Sequence, residues 1–159
     1  MLRIGLTGGI GTGKSTASNI LKELGAFIFD ADKEAKKILL SNEIIKSELI
    51  SEFGTDIMTG DGNVDNNKLA RIAFQDQNNQ LILNTIVHPY VFKEIDKHFD
   101  KELDSGKHSI FVADAALIYE SGADTHMDYV IVITALIKIR MERALARETL
   151  SREEILKRI

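Results

Sequence analysis

Gly8-Gly9-Ile10-Gly11-Thr12-Gly13-Lys14-Ser15 is the stretch on which the fold turns. It fits G-x-x-x-x-G-K-[ST], a spacing set by phosphate chemistry. The glycines let the backbone wrap tightly enough to aim consecutive N–H groups at phosphate oxygens. A helix starting at the lysine adds its positive N-terminal end. In such a P-loop Lys14 reaches the β- and γ-phosphates of a nucleotide, and the Ser15 hydroxyl ligates Mg²⁺. Gly9, Gly11, Thr12, Gly13, Lys14, Ser15 and Thr16 are therefore the expected ATP-binding residues.

The flanks supply the context this motif needs. Residues 3–7 read as a short buried strand, and residues 14–24 place Ala17, Ile20, Leu21 and Leu24 on one helical face, with Gly25 as the stop. Residues 27–29 form a second strand ending at Asp30-Ala31-Asp32. Strand, helix, strand in this order favours a parallel sheet covered by helices. Residues 32–40, 43–53, 68–74 and 80–87 read as helices, with a turn cluster at Thr59-Gly60-Asp61-Gly62-Asn63. The only proline, Pro89, is expected to open a further helix running to Leu103. Residues 109–113 and 129–134 return to strand composition, and 138–148 form a basic helix. Ser151-Arg152-Glu153-Glu154 has the spacing of a capping box.

The expected architecture is a single three-layer α/β/α P-loop NTPase domain with a parallel central sheet. Its core comprises residues 1–31 and 107–137, a helical acceptor-binding insertion covers about 32–106, and a basic lid covers about 138–159. The pattern stops inside the last helix, so a final strand of the fold is expected to be missing.

Bulk properties agree with this class. A chain of 159 residues with 44% apolar and 28% charged residues is long enough for one self-sufficient core. The absence of cysteine excludes disulfides, thiolate metal sites and thiol catalysis, and fits a reducing compartment. A net charge of −4 argues against non-specific nucleic-acid binding. Residues 138–159 nevertheless carry seven Lys/Arg against four Asp/Glu, which suggests a local anion site. The longest uncharged apolar run, 129–137, is far short of the roughly 20 residues of a membrane helix. No signal-peptide pattern opens the chain. Neither nucleic acid nor membrane is an expected partner, and the expected location is cytoplasmic.

Several acids and bases fall where such a site would use them. Asp30 and Asp32 flank the end of the second strand, where open α/β sheets place their ligands. Either carboxylate caps the next helix, or accepts a proton from an acceptor hydroxyl or helps hold Mg²⁺. Asp114 ends the apolar strand Ile110-Phe111-Val112-Ala113, the Walker B position for a carboxylate facing bound metal; a turn acid is the rival reading. Arg140, Arg143 and Arg147 share one helical face. They form either a lid that stabilises charge on a transferring phosphoryl group or a solvated basic face. His88 precedes Pro89, where a cap or surface role competes with a functional one.

Assembled, these residues resemble the dephospho-coenzyme A kinase family, over residues 2–159. Residues 5–16 are similar to that family's opening, and Leu24-Gly25-Ala26 with Asp30-Ala31-Asp32 to its second strand. Phe53-Gly54, Asp61-Gly62, Leu69-Ala70, Phe74 and His88-Pro89-Tyr90-Val91 resemble its helical insertion. Arg143-Ala144-Leu145-Ala146-Arg147, Ser151-Arg152-Glu153-Glu154 and Arg158-Ile159 resemble its lid and the helix after it. The resemblance implies transfer of the ATP γ-phosphate to the ribose 3′-hydroxyl of dephospho-coenzyme A, with ATP and Mg²⁺. It implies that Asp32 positions or deprotonates that hydroxyl, while Lys14, with Arg143 or Arg147, neutralises the phosphoryl group. It further implies that His88 and the turn carrying Leu117, Tyr119 and Glu120 line the acceptor pocket, and that the fold continues past residue 159 with a final strand.

This chain departs from the family pattern at Ala116, where proline is usual, at Asn66, where arginine is common, and at Arg140, where glutamine is. Losing the proline frees the backbone at Ala116. Two other readings share the motif: a kinase for another small acceptor, and a nucleotide-binding protein without transfer. A switch GTPase is disfavoured, because Asn67-Lys68-Leu69-Ala70 lacks the carboxylate that pairs with guanine.

Overall fold

The computed structural model describes residues 1–73, 75–147, 151–156 and 159, the side chain of residue 154 excepted. The expectations that rest on Phe74, Glu148, the side chain of Glu154 and Arg158 lie outside the described residues. The chain divides into two compact units, Met1–Asp30 with His98–Ile159, and Ala31–Lys97.

The first unit is built on β1 (Leu2–Thr7), β2 (Phe27–Asp30), β3 (Ile110–Asp114) and β4 (Tyr129–Val132), all parallel in the order β2-β3-β1-β4. Their two-residue periodicity sends alternate side chains to opposite faces. On one face Ile4, Leu6, Ile28, Ile110, Val112 and Ile131 pack with Ala17 and Leu21 of α1 (Lys14–Glu23). On the other, the Phe111 ring meets Phe27 at 5.4 Å and the edge of Phe99 at 5.5 Å, the latter from the end of the long helix Gln77–Ser105. Helices thus cover both faces, as expected for three layers. Leu6, Phe111 and Val112 are fully buried, each worth roughly 1.5–3 kcal/mol.

Gly25 ends α1 as the sequence suggests. With φ of 91° it lets the Ala26 N–H reach the Leu21 carbonyl and its own N–H reach Lys22, both at 3.0 Å, which is a Schellman closure. From β1 the chain crosses to β2 on one side of the sheet, and from β3 it crosses past β1 to β4 on the other. Such a switch of direction opens a crevice at the carboxyl ends of β1 and β3.

The second unit is helical: α2 (Ala31–Ser41), α3 (Glu43–Phe53), α4 (Asn66–Ala73) and most of α5 (Gln77–Ser105). Asn42 caps α3 by accepting from the Ile44 and Ile45 N–H groups, and Asp65 Oδ1 caps α4 through Asn67 and Lys68. The expected turn at 59–63 is closed by Thr59 N–H to the Asn63 carbonyl at 2.8 Å. Ile45, Leu49, Ile57 and Leu69 are buried within this unit's core.

One expectation fails here. Residues 80–87 and a helix opened by Pro89 are a single 29-residue helix, α5, with Pro89 inside it. Proline removes the hydrogen bond to the Thr85 carbonyl and costs about 3 kcal/mol. Val87, Val91 and Ile95, one turn apart and all buried, offset that cost by burial at roughly 1.5–3 kcal/mol each. A continuous apolar stripe outweighs the local breaker. No described helix is long and apolar enough to cross a membrane.

Candidate active site

The glycine-rich loop joins β1 to α1 at the carboxyl edge of the sheet. Gly11 and Gly13 adopt φ of 75° and 103°, the left-handed region that glycine occupies without strain. The Gly13 carbonyl accepts from the Thr16 and Ala17 N–H groups at 3.0 and 3.1 Å and so starts α1. The Lys14 and Ser15 N–H groups precede these first helical hydrogen bonds, the position in which a helix start can bind an anion. Thr12 is buried and braces the loop by donating its hydroxyl to the Gly9 carbonyl at 2.8 Å.

Lys14 and Asp114 meet at the centre of this edge. The Lys14 ammonium donates a short hydrogen bond to Asp114 Oδ1, with the two side chains 18% and 13% exposed. Asp114 is the last residue of β3, in register with Leu6 on one side and Asp30 on the other. Ser15 and Thr16, which follow Lys14 in α1, are exposed. No group of three or more His, Cys, Asp or Glu that could hold a metal occurs among the described residues. The Ser15 hydroxyl and Asp114 carboxylate instead suit a Mg²⁺ that arrives on phosphate, since that ion takes one or two protein ligands and keeps its other positions for phosphate and water.

The basic helix α6 (Ile137–Leu145) lies over the loop. The helix expected to reach 148 ends at Leu145. The Arg147 N–H turns back to the Ala144 carbonyl at 3.3 Å, an i to i+3 tightening common at helix ends. Arg140 Nε donates to the Ile10 carbonyl at 2.9 Å, and Arg143 Nη1 to the carbonyls of Thr12 and Gly11 at 3.3 and 3.4 Å. Arg143 and Arg147 line a cleft of about 560 Å³ whose opposite wall is Gly13, Thr16, Ala17 and Ile20. Arg140 and Arg143 therefore reach the loop, while Arg143 and Arg147 remain exposed along the cleft.

Gly11 shows how closely α6 approaches. A Cβ there would collide with the backbone of Arg140, its Cα at 2.8 Å, and would also sit at a φ that L residues avoid. Gly11→Ala is expected to cost roughly 1–3 kcal/mol and to weaken ATP binding at least about tenfold. Thermal unfolding and ATP titration of the variant check this.

The residues expected on the acceptor side lie in both units. Asp32 is exposed in the first turn of α2, directly after β2 ends at Asp30. His88 sits inside α5 and not at a helix start, because α5 runs through Pro89. It is half-buried, stacks on Phe92 at 5.9 Å, and burial lowers its pKa, so the neutral imidazole prevails at pH 7. The turn after β3 closes through Ser121 N–H to Leu117 and Gly122 N–H to Tyr119, both at 3.1 Å, leaving Tyr119 and Glu120 exposed and Leu117 half-buried. The backbone at Ala116 is held without proline, because the buried Thr7 hydroxyl donates to the Ala116 carbonyl at 2.9 Å.

Three features escaped the sequence reading: the Thr7 and Thr12 braces, and the contact of Arg140 and Arg143 with loop carbonyls. Only the three-residue spacing of the arginines hinted at the last.

The matching family model is that of dephospho-CoA kinase, over residues 2–159. The dephospho-CoA kinase of Carboxydothermus hydrogenoformans is 42% identical over 156 residues, covering 98% of this chain and 75% of the relative. Among solved structures, a Thermus thermophilus protein superposes with a TM-score of 0.78 at 30% identity, covering 99% of this chain and 78% of its own. The dephospho-CoA kinase of Campylobacter jejuni does so with a TM-score of 0.66 at 29% identity, over 98% and 77%. With the P-loop, the Lys14–Asp114 pair and the basic helix in the positions described, the chain belongs to the dephospho-CoA kinase family.

Proposed function

We propose that this protein transfers the γ-phosphate of ATP to the ribose 3′-hydroxyl of dephospho-CoA, the last step of coenzyme A synthesis. Family membership supports the reaction. The observation that carries it on this chain is the Lys14–Asp114 pair at the loop, together with Arg143 and Arg147 across a cleft from Gly13 and Thr16. The cysteine-free composition supports the cytoplasm as its location.

Loop N–H groups, those of Gly11, Gly13, Lys14 and Ser15 foremost, bind the triphosphate, and Lys14 bridges its β- and γ-oxygens. Asp114 keeps the Lys14 ammonium aimed across the mouth of the loop. Ser15 and Asp114 would hold Mg²⁺, which neutralises charge on the β- and γ-phosphates when bound. Arg143 and Arg147 stabilise the charge that builds on the phosphoryl oxygens. Asp32 accepts the proton of the 3′-hydroxyl as its oxygen bonds to the γ-phosphorus and the bond to the bridging oxygen of ADP breaks. His88, Leu117, Tyr119 and Glu120 contribute to acceptor binding.

Incubating the protein with ATP, Mg²⁺ and dephospho-CoA should yield a product one phosphate heavier than the acceptor, read by mass spectrometry. ATP binding without that product would refute the proposed acceptor.

A further inference from the structure

Arg140 belongs to the basic helix yet does not line the cleft. Its Nε donates to the Ile10 carbonyl at 2.9 Å, and its Nη2 occupies the space a side chain at Gly9 would need. Its own backbone packs on Gly11. Arg140 thus grips the loop through the Ile10 carbonyl, with its backbone against Gly11.

The geometry of the peptide group makes this contact consequential. Every peptide here is trans, so the Ile10 carbonyl and the Gly11 N–H point in opposite directions across one rigid plane. A donor that fixes the carbonyl outward fixes the N–H inward. Gly11 on its carboxyl side leaves the plane otherwise free to flip, since the flip turns on Gly11 φ, which is almost unrestricted, and on Ile10 ψ. Arg143 makes longer contacts with the same side of the loop and also lines the cleft, so it is free to engage phosphate.

We propose that Arg140 is a positioning residue for nucleotide binding, which holds the Ile10–Gly11 peptide so that the Gly11 N–H faces the phosphates. The inference rests on the nucleotide reading of the loop but not on the identity of the acceptor. It assigns Arg140 a role through hydrogen bonding and not through its charge.

Two substitutions separate those roles. Glutamine carries an N–H donor on Cδ, the atom that bears Nε in arginine, but no charge. Lysine keeps the charge but has a methylene at that place. The test is calorimetric titration of ATP with Mg²⁺ into Arg140→Gln, Arg140→Lys and Arg140→Met, with thermal unfolding alongside and kcat and KM for ATP where product forms. Arg140→Met and Arg140→Lys should raise the Kd and KM for ATP about tenfold, with kcat within about threefold, as for a lost hydrogen bond. Arg140→Gln should stay within about threefold of the parent in both. Should Arg140→Met fail to fold, the order of Gln and Lys still decides. Better binding by Lys than by Gln, or parent-like binding by Lys or Met, overturns the proposal. A parent protein that binds ATP but yields no product refutes only the proposed acceptor. One that binds no ATP removes the nucleotide reading and this inference with it.

Discussion

Lys14→Ala is expected to lower phosphoryl transfer by about a thousandfold, the scale on which removing one preorganised charge from a transferring group acts. Stability answers a different question at this position. The substitution leaves the Asp114 carboxylate, 13% exposed, without its ammonium partner, at a cost of roughly 1–3 kcal/mol. Lys14→Ala combined with Asp114→Asn removes both charges and should recover part of that stability. It should recover none of the activity, because nothing then bridges the β- and γ-phosphates. Discontinuous assays of product by mass spectrometry, with urea unfolding of the same three proteins, separate the two effects. A double variant that regains transfer would show that Lys14 serves only to balance Asp114.

What the sequence discloses, and what it withholds, follows from the range of the interactions involved. The P-loop, the helix closed at Gly25 and the short apolar strands are local patterns, so the elements of residues 2–30 could be read from them, although Ile20 and Leu24 of the expected apolar face are exposed. Asp114 was legible for the same reason, as an acid terminating an apolar run. The helix break expected at Pro89 was a local rule overruled by tertiary burial of Val87, Val91 and Ile95, which no local window weighs. The contact of Arg140 with Ile10 spans 130 positions in the chain, and that of the Thr7 hydroxyl with Ala116 spans 109. Helical spacing shows that Arg140 and Arg143 share a face. It does not show that the face meets carbonyl oxygens, because that depends on how closely Gly11 lets α6 approach.

Asp32→Ala should leave ATP binding nearly intact while transfer falls by at least about 100-fold, as expected for loss of a positioned proton acceptor. The bland alternative is that Asp32 only favours the start of α2, in whose first turn it lies with Glu34. A carboxylate there is worth about 0.3–1 kcal/mol through the helix dipole, too little to unfold a domain. A structural role therefore predicts a small drop in Tm and an unchanged kcat. A catalytic role predicts the reverse, a near-constant Tm with kcat lost. Asp32→Asn sharpens the choice, because the amide keeps the size of the side chain and can still accept from backbone N–H groups but cannot take a proton at neutral pH. If Asp32→Asn turns over like the parent, the proton acceptor lies elsewhere, and Asp30 becomes the next residue to replace. It ends β2 in register with Asp114, the carboxylate that Lys14 meets.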